Sequence, residues 1–316
     1  MLGDSIRAVP GVTVLNFTWR TALFGRYNLY HTHWPEILVG GRTPLRRAVR
    51  QALYAMILLR LRMTKRPIVR TLHNVDRPEG LTTAGSLLLD IVDRQTAMRI
   101  RLNETTEVHA DELVVTIPHG HYRDWFANYT ARPVVAGQLG FVGLIRHYKG
   151  VERLLGAFAE TKELRGGLSL RLGGNPSNSE LAQTVRDYAD RDDRVELTLD
   201  YLSDATLVEI VTSSQLVVLP YRFMHNSGGT IAGLSLNRPV LVPDNAVNHR
   251  LAEEVGPGWV YLFSGELTGA KIVETLDAIR TSPAPLPPDL SAREWNSAGL
   301  EHVAAYRRAL SAIRAQ

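Results

Sequence analysis

The stretch that decides the fold begins Leu216-Val217-Val218-Leu219-Pro220-Tyr221-Arg222. It continues through Asn226-Ser227-Gly228-Gly229-Thr230 and closes with Asn237-Arg238-Pro239-Val240-Leu241-Val242. Four apolar residues closed by a proline read as a buried strand. Asn226–Thr230 then opens a helix over 228–236, and Val240–Val242 is the next strand. Strand, loop, helix and strand make one parallel unit. The helix start offers free N–H groups and the positive end of its dipole, and the paired glycines permit close approach, so the loop can cradle an anion. A serine that only caps the helix would carry the same local pattern.

The alternation repeats on both sides. Further strands are expected at Gly140–Gly143, Ser169–Leu172, Glu196–Leu199 and Val260–Phe263, with helices near 151–164, 179–190, 204–213, 247–254 and 268–279. In the first half, Val12–Leu15, Asn28–His33, Pro67–Leu72 and Glu112–Thr116 read as strands, and 43–64 and 82–107 as helical. Apolar strands alternating with helices mean α/β architecture, with parallel sheets covered on both faces. With 316 residues the chain is too long for one ordinary core and suits two doubly wound domains. The expected domains are 1–130 and 131–290, with a boundary in Tyr129–Gln138 near Pro133. A stiff linker carries Pro283, Pro285, Pro287 and Pro288. Beyond it Ser291 and Glu294 have capping-box spacing and open a last helix over 291–316. Residues 2–8 read as the first helix of a Rossmann-like domain whose opening strand is missing.

Composition excludes several chemistries. With no cysteine, the chain has no disulfides, cysteine zinc sites, iron–sulfur clusters or thiol nucleophile. This fits a reducing compartment. The most apolar run, Ala55–Leu59, is far shorter than the roughly 20 residues of a membrane span, and no signal-peptide pattern is present. Net charge is only +4, yet Arg42, Arg46, Arg47, Arg50, Arg60, Arg62, Lys65 and Arg66 fall in one segment without an acidic residue, leaving −4 for the rest. Leu45, Val49, Leu53, Met56, Leu59 and Leu61 recur at near-helical spacing in that segment. They predict a helix with one buried face and a basic outer side. Such a helix can dock on an anionic lipid leaflet or a phosphate-bearing acceptor, or simply be the solvated rim of a sheet-covering helix. Nucleic acid is not an expected partner, because the rest of the chain is acidic and no binding module is present.

Polar residues gather at the carboxyl ends of the strands, where parallel sheets bind ligands. In the first half these are His31-Thr32-His33-Trp34-Pro35-Glu36, His73-Asn74-Val75-Asp76 and His119-Gly120-His121. His31 and His33 share one face of a strand and could be half of a metal site, though no third ligand is fixed by spacing. His33 or His119 could orient an acceptor hydroxyl or take its proton, with Asp76 and Glu79 as further bases. In the second half, Gly143-Leu144-Ile145-Arg146-His147-Tyr148-Lys149-Gly150 follows a strand and opens a helix. Arg146 and Lys149 there could neutralise a phosphate leaving group. Gly173-Gly174-Asn175-Pro176 closes the next strand as a second backbone approach, or as a plain turn. These signals describe a diphosphate on the second domain and histidines on the first, suited to transfer from an activated donor across a cleft.

On these residues the sequence resembles glycosyltransferases of the GT-B fold, and among them the GT4-like group. The resemblance covers nearly the whole chain. Asn28–Pro35 is similar to a strand-end segment of the group, Arg70–Asn74 to its acceptor-side His segment, and Thr116–Gly120 to the segment that closes its first domain. Phe141–Gly150 resembles its donor-phosphate motif, and Pro220–Val242 its long donor motif. The resemblance implies two Rossmann-like domains facing a cleft, with the final helix crossing back to the first. It implies a nucleotide diphosphate sugar as donor, a glycan or lipid-linked acceptor, and a role in polysaccharide or glycolipid biosynthesis. No cofactor and no essential metal are expected. The absence of cysteine and of a membrane span, with the basic helix as a dock, sets the expected location as cytoplasmic, peripheral on the inner face of the plasma membrane. By resemblance Arg146 and Lys149 stabilise the departing diphosphate. Gly143, Gly174, Tyr221, Asn226, Ser227, Gly228, Gly229 and Thr230 hold the donor. Tyr201 and Leu202 grip the base, and His73 lies near the transferred sugar. The family's long motif carries two glutamates eight residues apart, and here the matching positions are Met224 and Ala232. The implied stereochemistry is retention, with inversion through His33, Asp76 or His119 as the alternative. A non-catalytic nucleotide-sugar binder and a nucleotide-sugar 2-epimerase are the competing readings.

Overall fold

The computed structural model describes residues 1–73 and 80–314, and its backbone divides into two units, Met1–Gly120 with Arg293–Gln316, and His121–Ala292. The first unit begins with helices α1 (Leu2–Arg7) and α2 (Trp19–Phe24). Strand β1 (Tyr30–Thr32), helices α3 (Pro35–Val39) and α4 (Pro44–Met63), and strand β2 (Ile68–Leu72) follow. Helix α5 (Thr83–Gln95) then leads to strands β3 (Thr96–Arg101) and β4 (Val114–Thr116). The four strands are parallel, in the order β1-β2-β3-β4.

Two expectations for this unit are corrected. Val12–Leu15 is not a strand, because Val12 and Val14 pack with Ile6, Val9 and Val303 instead of pairing with the sheet. Residues 82–107 are not one helical segment: α5 stops at Gln95 and β3 begins at once. The alternation in Ala97-Met98-Arg99-Ile100-Arg101 explains the change, since it buries Met98 and Ile100 on one face and sends the arginines to the other.

Helix α4 forms where expected. Thr43 caps it through the Arg46 N–H, and Pro44 occupies its first turn. Its buried face is different from the one expected. Tyr54, Ile57, Leu58 and Leu61 enter the core, while Leu45, Val49, Met56, Leu59 and Met63 are exposed, Leu45 and Met63 each at 75%. Two apolar stripes share this helix, and period alone does not say which one meets the sheet. The basic residues divide as well. Arg60 donates to the Ala22 carbonyl at 2.7 Å and lies over the Tyr27 ring, while Arg66 lies over the same ring at 4.8 Å. Arg50 reaches the Leu38 carbonyl. Arg42, Arg46, Arg62 and Lys65 stay exposed.

The second unit begins with α6 (Arg123–Phe126) and β5 (Gln138–Val142). It continues with α7 (Val151–Leu164), β6 (Ser169–Gly173), α8 (Ser179–Ala189), β7 (Val195–Thr198) and α9 (Asp204–Ser213). After β8 (Leu216–Val218) come α10 (Gly228–Ser235), β9 (Val240–Pro243), α11 (Ala246–Val255), β10 (Val260–Phe263) and α12 (Gly269–Thr281). Its six strands are all parallel, in the order β10-β9-β8-β5-β6-β7. Every residue of β5 is buried, as expected for a central strand covered on both faces. The strand order reverses between β5 and β8, and this switch point is where a doubly wound sheet opens a crevice at its carboxyl edge.

The last helix, α13 (Trp295–Arg314), belongs to the first unit. Gly299 is what lets α1 approach it, since a Cβ there would stand 2.6 Å from the Ser5 carbonyl oxygen. The capping box expected at Ser291 is not formed. Ser291–Arg293 is a short 3₁₀ turn, and the Ser291 N–H donates to the Asp289 carboxylate at 2.9 Å. Among the described residues no helix is long and apolar enough to cross a membrane.

Candidate active site

The two phosphate-type loops of the second unit leave the neighbouring strands β5 and β8 and meet at the switch point. Gly150, at φ +65°, lies so close to the second loop that a Cβ would sit 2.3 Å from the Pro220 carbonyl oxygen. The Arg222 N–H donates to the Tyr148 carbonyl at 2.7 Å, which ties the loops again. Gly174 adds the turn after β6, where a Cβ would be 1.8 Å from the Gly143 carbonyl oxygen. Glycine is required at these contacts because backbone meets backbone.

Lys149 is the cation at this junction. Its Nζ lies 5.1 Å from the centroid of the buried Tyr221 ring and against Gly143. Burial, with a smaller contribution from Arg146, lowers its pKa to about 8. Arg146 is held differently. Its guanidinium donates to the Ile145 carbonyl at 2.7 Å and to the Asn175 carbonyl at 3.1 Å, bracing the Gly143 and Gly174 turns together. Helix α10 points its start into the same region. Ser227 accepts from the Thr230 N–H at 3.2 Å, which leaves Gly228 and Gly229 to present first-turn N–H groups. Tyr201 is exposed after β7, and Leu202 packs beneath it against Gly173.

In the first unit, histidines from separate strand ends come together. His33 Nδ1 is 2.9 Å from His73 Nε2, and the rings of His31 and His33 are 4.4 Å apart. Trp34 stacks on His73 with centroids 4.5 Å apart. Burial, then the neighbouring histidines, lowers the pKa of His33 to about 4 and that of His73 to about 3. Both rings are therefore neutral at pH 7. Burial lowers the pKa of His119 as well, and its Nδ1 meets the Gly120 carbonyl at 2.8 Å. His31 has both nitrogens engaged, by Tyr306 and Thr71, so it does not serve as half of a metal site. Among the described residues no group of three or more His, Cys, Asp or Glu could hold a metal ion. Asp76 and Glu79 lie outside the described residues.

The chain is 42% identical over 294 residues to the GDP-mannose:glycolipid 4-beta-D-mannosyltransferase of Xanthomonas campestris pv. campestris, covering 93% of this chain and 83% of the relative. The chain belongs to the nucleotide-sugar-dependent GT-B glycosyltransferases. No family model matches it. Among solved structures, sucrose-phosphate synthase from Thermosynechococcus elongatus matches at TM-score 0.57 and 17% identity, covering 92% of this chain and 73% of that one. The HepE protein of Anabaena in complex with UDP-glucose matches at TM-score 0.59 and 13% identity, covering 84% and 77%. At these identities the solved structures support the fold alone.

The glycosyltransferase departs from its wider group where the two glutamates would be. Met224 is buried and its sulfur accepts from the Thr230 hydroxyl and from Asn248, while Ala232 packs with Phe126 and Val208. Both side chains are buried in the core of the second unit. Sequence reasoning missed His302 and Tyr306 of this enzyme, which α13 brings against His31 at ring distances of 5.8 Å and 5.4 Å. The signal was a Tyr four residues after a His on an amphipathic helix, which also reads as ordinary core.

Proposed function

We propose that this glycosyltransferase moves mannose from GDP-mannose to a glycolipid acceptor with formation of a β-linkage. The observation that carries the reading is the 42% identity to an enzyme of that name over 93% of the chain. GDP-mannose holds its sugar in the α configuration, so a β product requires inversion, and a single displacement takes the place of the retention implied by the wider resemblance. The acceptor oxygen attacks the anomeric carbon as the bond to the diphosphate breaks. The acceptor proton passes to the neutral His33–His73 pair. Lys149 and the start of α10 take up the charge that develops on GDP, with Arg146 bracing the turns, and no metal is required. The test is incubation with GDP-mannose or UDP-glucose and lipid-linked acceptors in EDTA, with the product linkage read by NMR. An α product, exclusive use of UDP-sugars or dependence on a divalent ion would each overturn the corresponding part.

The acceptor's lipid gives α4 a role in this reading. The helix exposes Leu45, Val49, Met56, Leu59 and Met63 at alternating steps of four and three or seven residues, with Arg42, Arg46, Arg62 and Lys65 beside them. This combination suits a helix lying in the interface of an anionic leaflet, where each basic residue contributes about 1 kcal/mol of attraction. A peripheral enzyme on the inner face of the plasma membrane follows from the same reading.

A further inference from the structure

The C-terminal helix reaches the histidine cluster through the side chains of His302 and Tyr306. Tyr306 Oη is 2.7 Å from Nδ1 of His31, and Nε2 of His31 is 2.8 Å from Thr71 Oγ1. A neutral imidazole carries one N–H and one lone pair, so one hydroxyl donates to the ring and the other accepts from it. A phenol is the stronger donor of the two. Burial raises the Tyr306 pKa and so keeps its proton in place. The hydrogen bonds therefore run from Tyr306 through His31 to Thr71. His31 is left neutral, with its hydrogen on Nε2, and its ring lies 4.4 Å from that of His33.

From this geometry we propose that Tyr306 is a positioning residue for sugar transfer: it fixes the tautomer and neutrality of His31, and His31 in turn keeps His33 available as a proton acceptor beside His73. The inference rests on the reading that the His33–His73 pair receives the acceptor proton. The groups facing His31 come from three elements. His33 follows β1, Thr71 and His73 lie on and after β2, and His302 and Tyr306 project from α13. His119 and Arg293 stand beyond them, next to each other at the first unit's closing turn. His302 donates from Nδ1 to the Ala298 carbonyl at 2.7 Å, so its buried Nε2 is a bare lone pair and this ring is neutral too. If Tyr306 lost its hydroxyl, Nδ1 of His31 would become a place for a proton. The resulting cation would oppose protonation of His33.

The test compares the full-length wild type with Tyr306→Phe by two readouts. Histidine-ring ¹⁵N spectra between pH 5 and 8, with His31 assigned through His31→Gln, report its tautomer and titration. The pH profile of transfer reports the consequence. The wild type is expected to show one fixed Nε2–H tautomer. In the variant His31 titrates, kcat falls on the order of tenfold with donor KM unchanged, and the acid limb moves up by about one pH unit. Unchanged His31 signals in the variant would overturn the proposal, as would altered signals with a wild-type rate and pH profile. If Tyr306→Phe fails to fold, the wild-type spectra still decide: a His31 that carries its hydrogen on Nδ1, or that titrates between pH 5 and 8, would equally overturn it. The base reading fails separately, if His33→Asn transfers sugar at the wild-type rate.

Discussion

The ammonium of Lys149 stands 5.1 Å from the centre of the buried Tyr221 ring, so a cation from the loop after β5 is held over an aromatic face from the loop after β8. The site places a desolvated charge where a diphosphate would arrive, and that arrangement costs the free protein stability. The lowered pKa of about 8 records the cost. The unfolded chain binds a proton here up to the ordinary lysine range near 10.4, while the folded chain releases it from about 8. Stability therefore rises with pH through that window, and the penalty is fully present below it. Lys149→Met is expected to melt no lower than the wild type at pH 7 and to lose on the order of 10² to 10³ in kcat. In the wild type, kcat/KM for the donor should fall as pH rises through about 8. Calorimetry together with a pH series of initial rates checks both.

Gly150→Ala probes the junction of the two donor loops. Its φ of +65° and the 2.3 Å approach of the Pro220 carbonyl both act against a methyl group. The expected cost is on the order of 1–3 kcal/mol, with donor KM raised and acceptor KM unchanged. A variant with wild-type melting temperature and donor KM would show that the loops are not coupled through this contact.

His33→Asn and His73→Asn are expected to abolish most transfer while GDP still stabilises the protein in a thermal-shift assay, because the donor loops lie in the other unit. Both rings have pKa values lowered from 6.5, to about 4 and about 3. Between those values and 6.5 the unfolded chain binds more protons than the folded one, so stability should decline as pH falls through this window. Either substitution should flatten that decline, which acid-titrated denaturant melts can measure.

Arg70 anchors the opposite face of the first sheet. It pairs with Asp93 and, at 2.8 Å, with Glu36, and its side chain is only 13% exposed. Arg70→Met removes the shared cation from two partly buried carboxylates and is expected to cost about 3 kcal/mol. The double variant with Glu36→Gln should recover part of that loss. Equal stability of the single and double variants would argue against the pairing.

Substitution of the exposed α4 stripe, Leu45→Glu with Leu59→Glu, should leave the folding stability within about 0.5 kcal/mol of wild type, since neither residue is in the core. Co-flotation with anionic liposomes at low salt should be lost. Arg42→Glu with Arg46→Glu should weaken flotation in a salt-sensitive manner. Wild-type protein that stays off such liposomes would end the membrane assignment.

Much of this molecule was legible in its residues. Leu216–Val242 announced strand, loop, helix and strand, and the structure places each of them there, with Ser227 capping α10. Glycine spacing marked Gly143, Gly150 and Gly174, where a positive φ or close backbone approach needs that residue. Choices made by tertiary packing were not legible. Either apolar stripe of α4 satisfied the helical period, and packing of Tyr54, Ile57, Leu58 and Leu61 in the core settled which one faces inward. β3 was hidden because its arginines hydrogen-bond or pair along an otherwise apolar strand, Arg99 to Glu112 at 2.7 Å and Arg101 to Thr116 at 2.7 Å. His302 and Tyr306 were invisible as site residues because they lie more than 200 positions from His33 in the chain.

The first unit is built from both ends of the chain, Met1–Gly120 and Arg293–Gln316, with the second unit inserted between them. During synthesis, then, the ribosome must make all of the six-stranded unit before α13 can emerge and dock. Until then Ile6, Val9, Met98 and Ile100 lack the helix that covers them, and His31 lacks Tyr306. The nascent first unit carries an unfinished core through the longest part of translation, a state open to chaperones and to aggregation. Its assembly is also a built-in check on completeness, because a chain that stops short of α13 lacks Tyr306 and His302 beside His31.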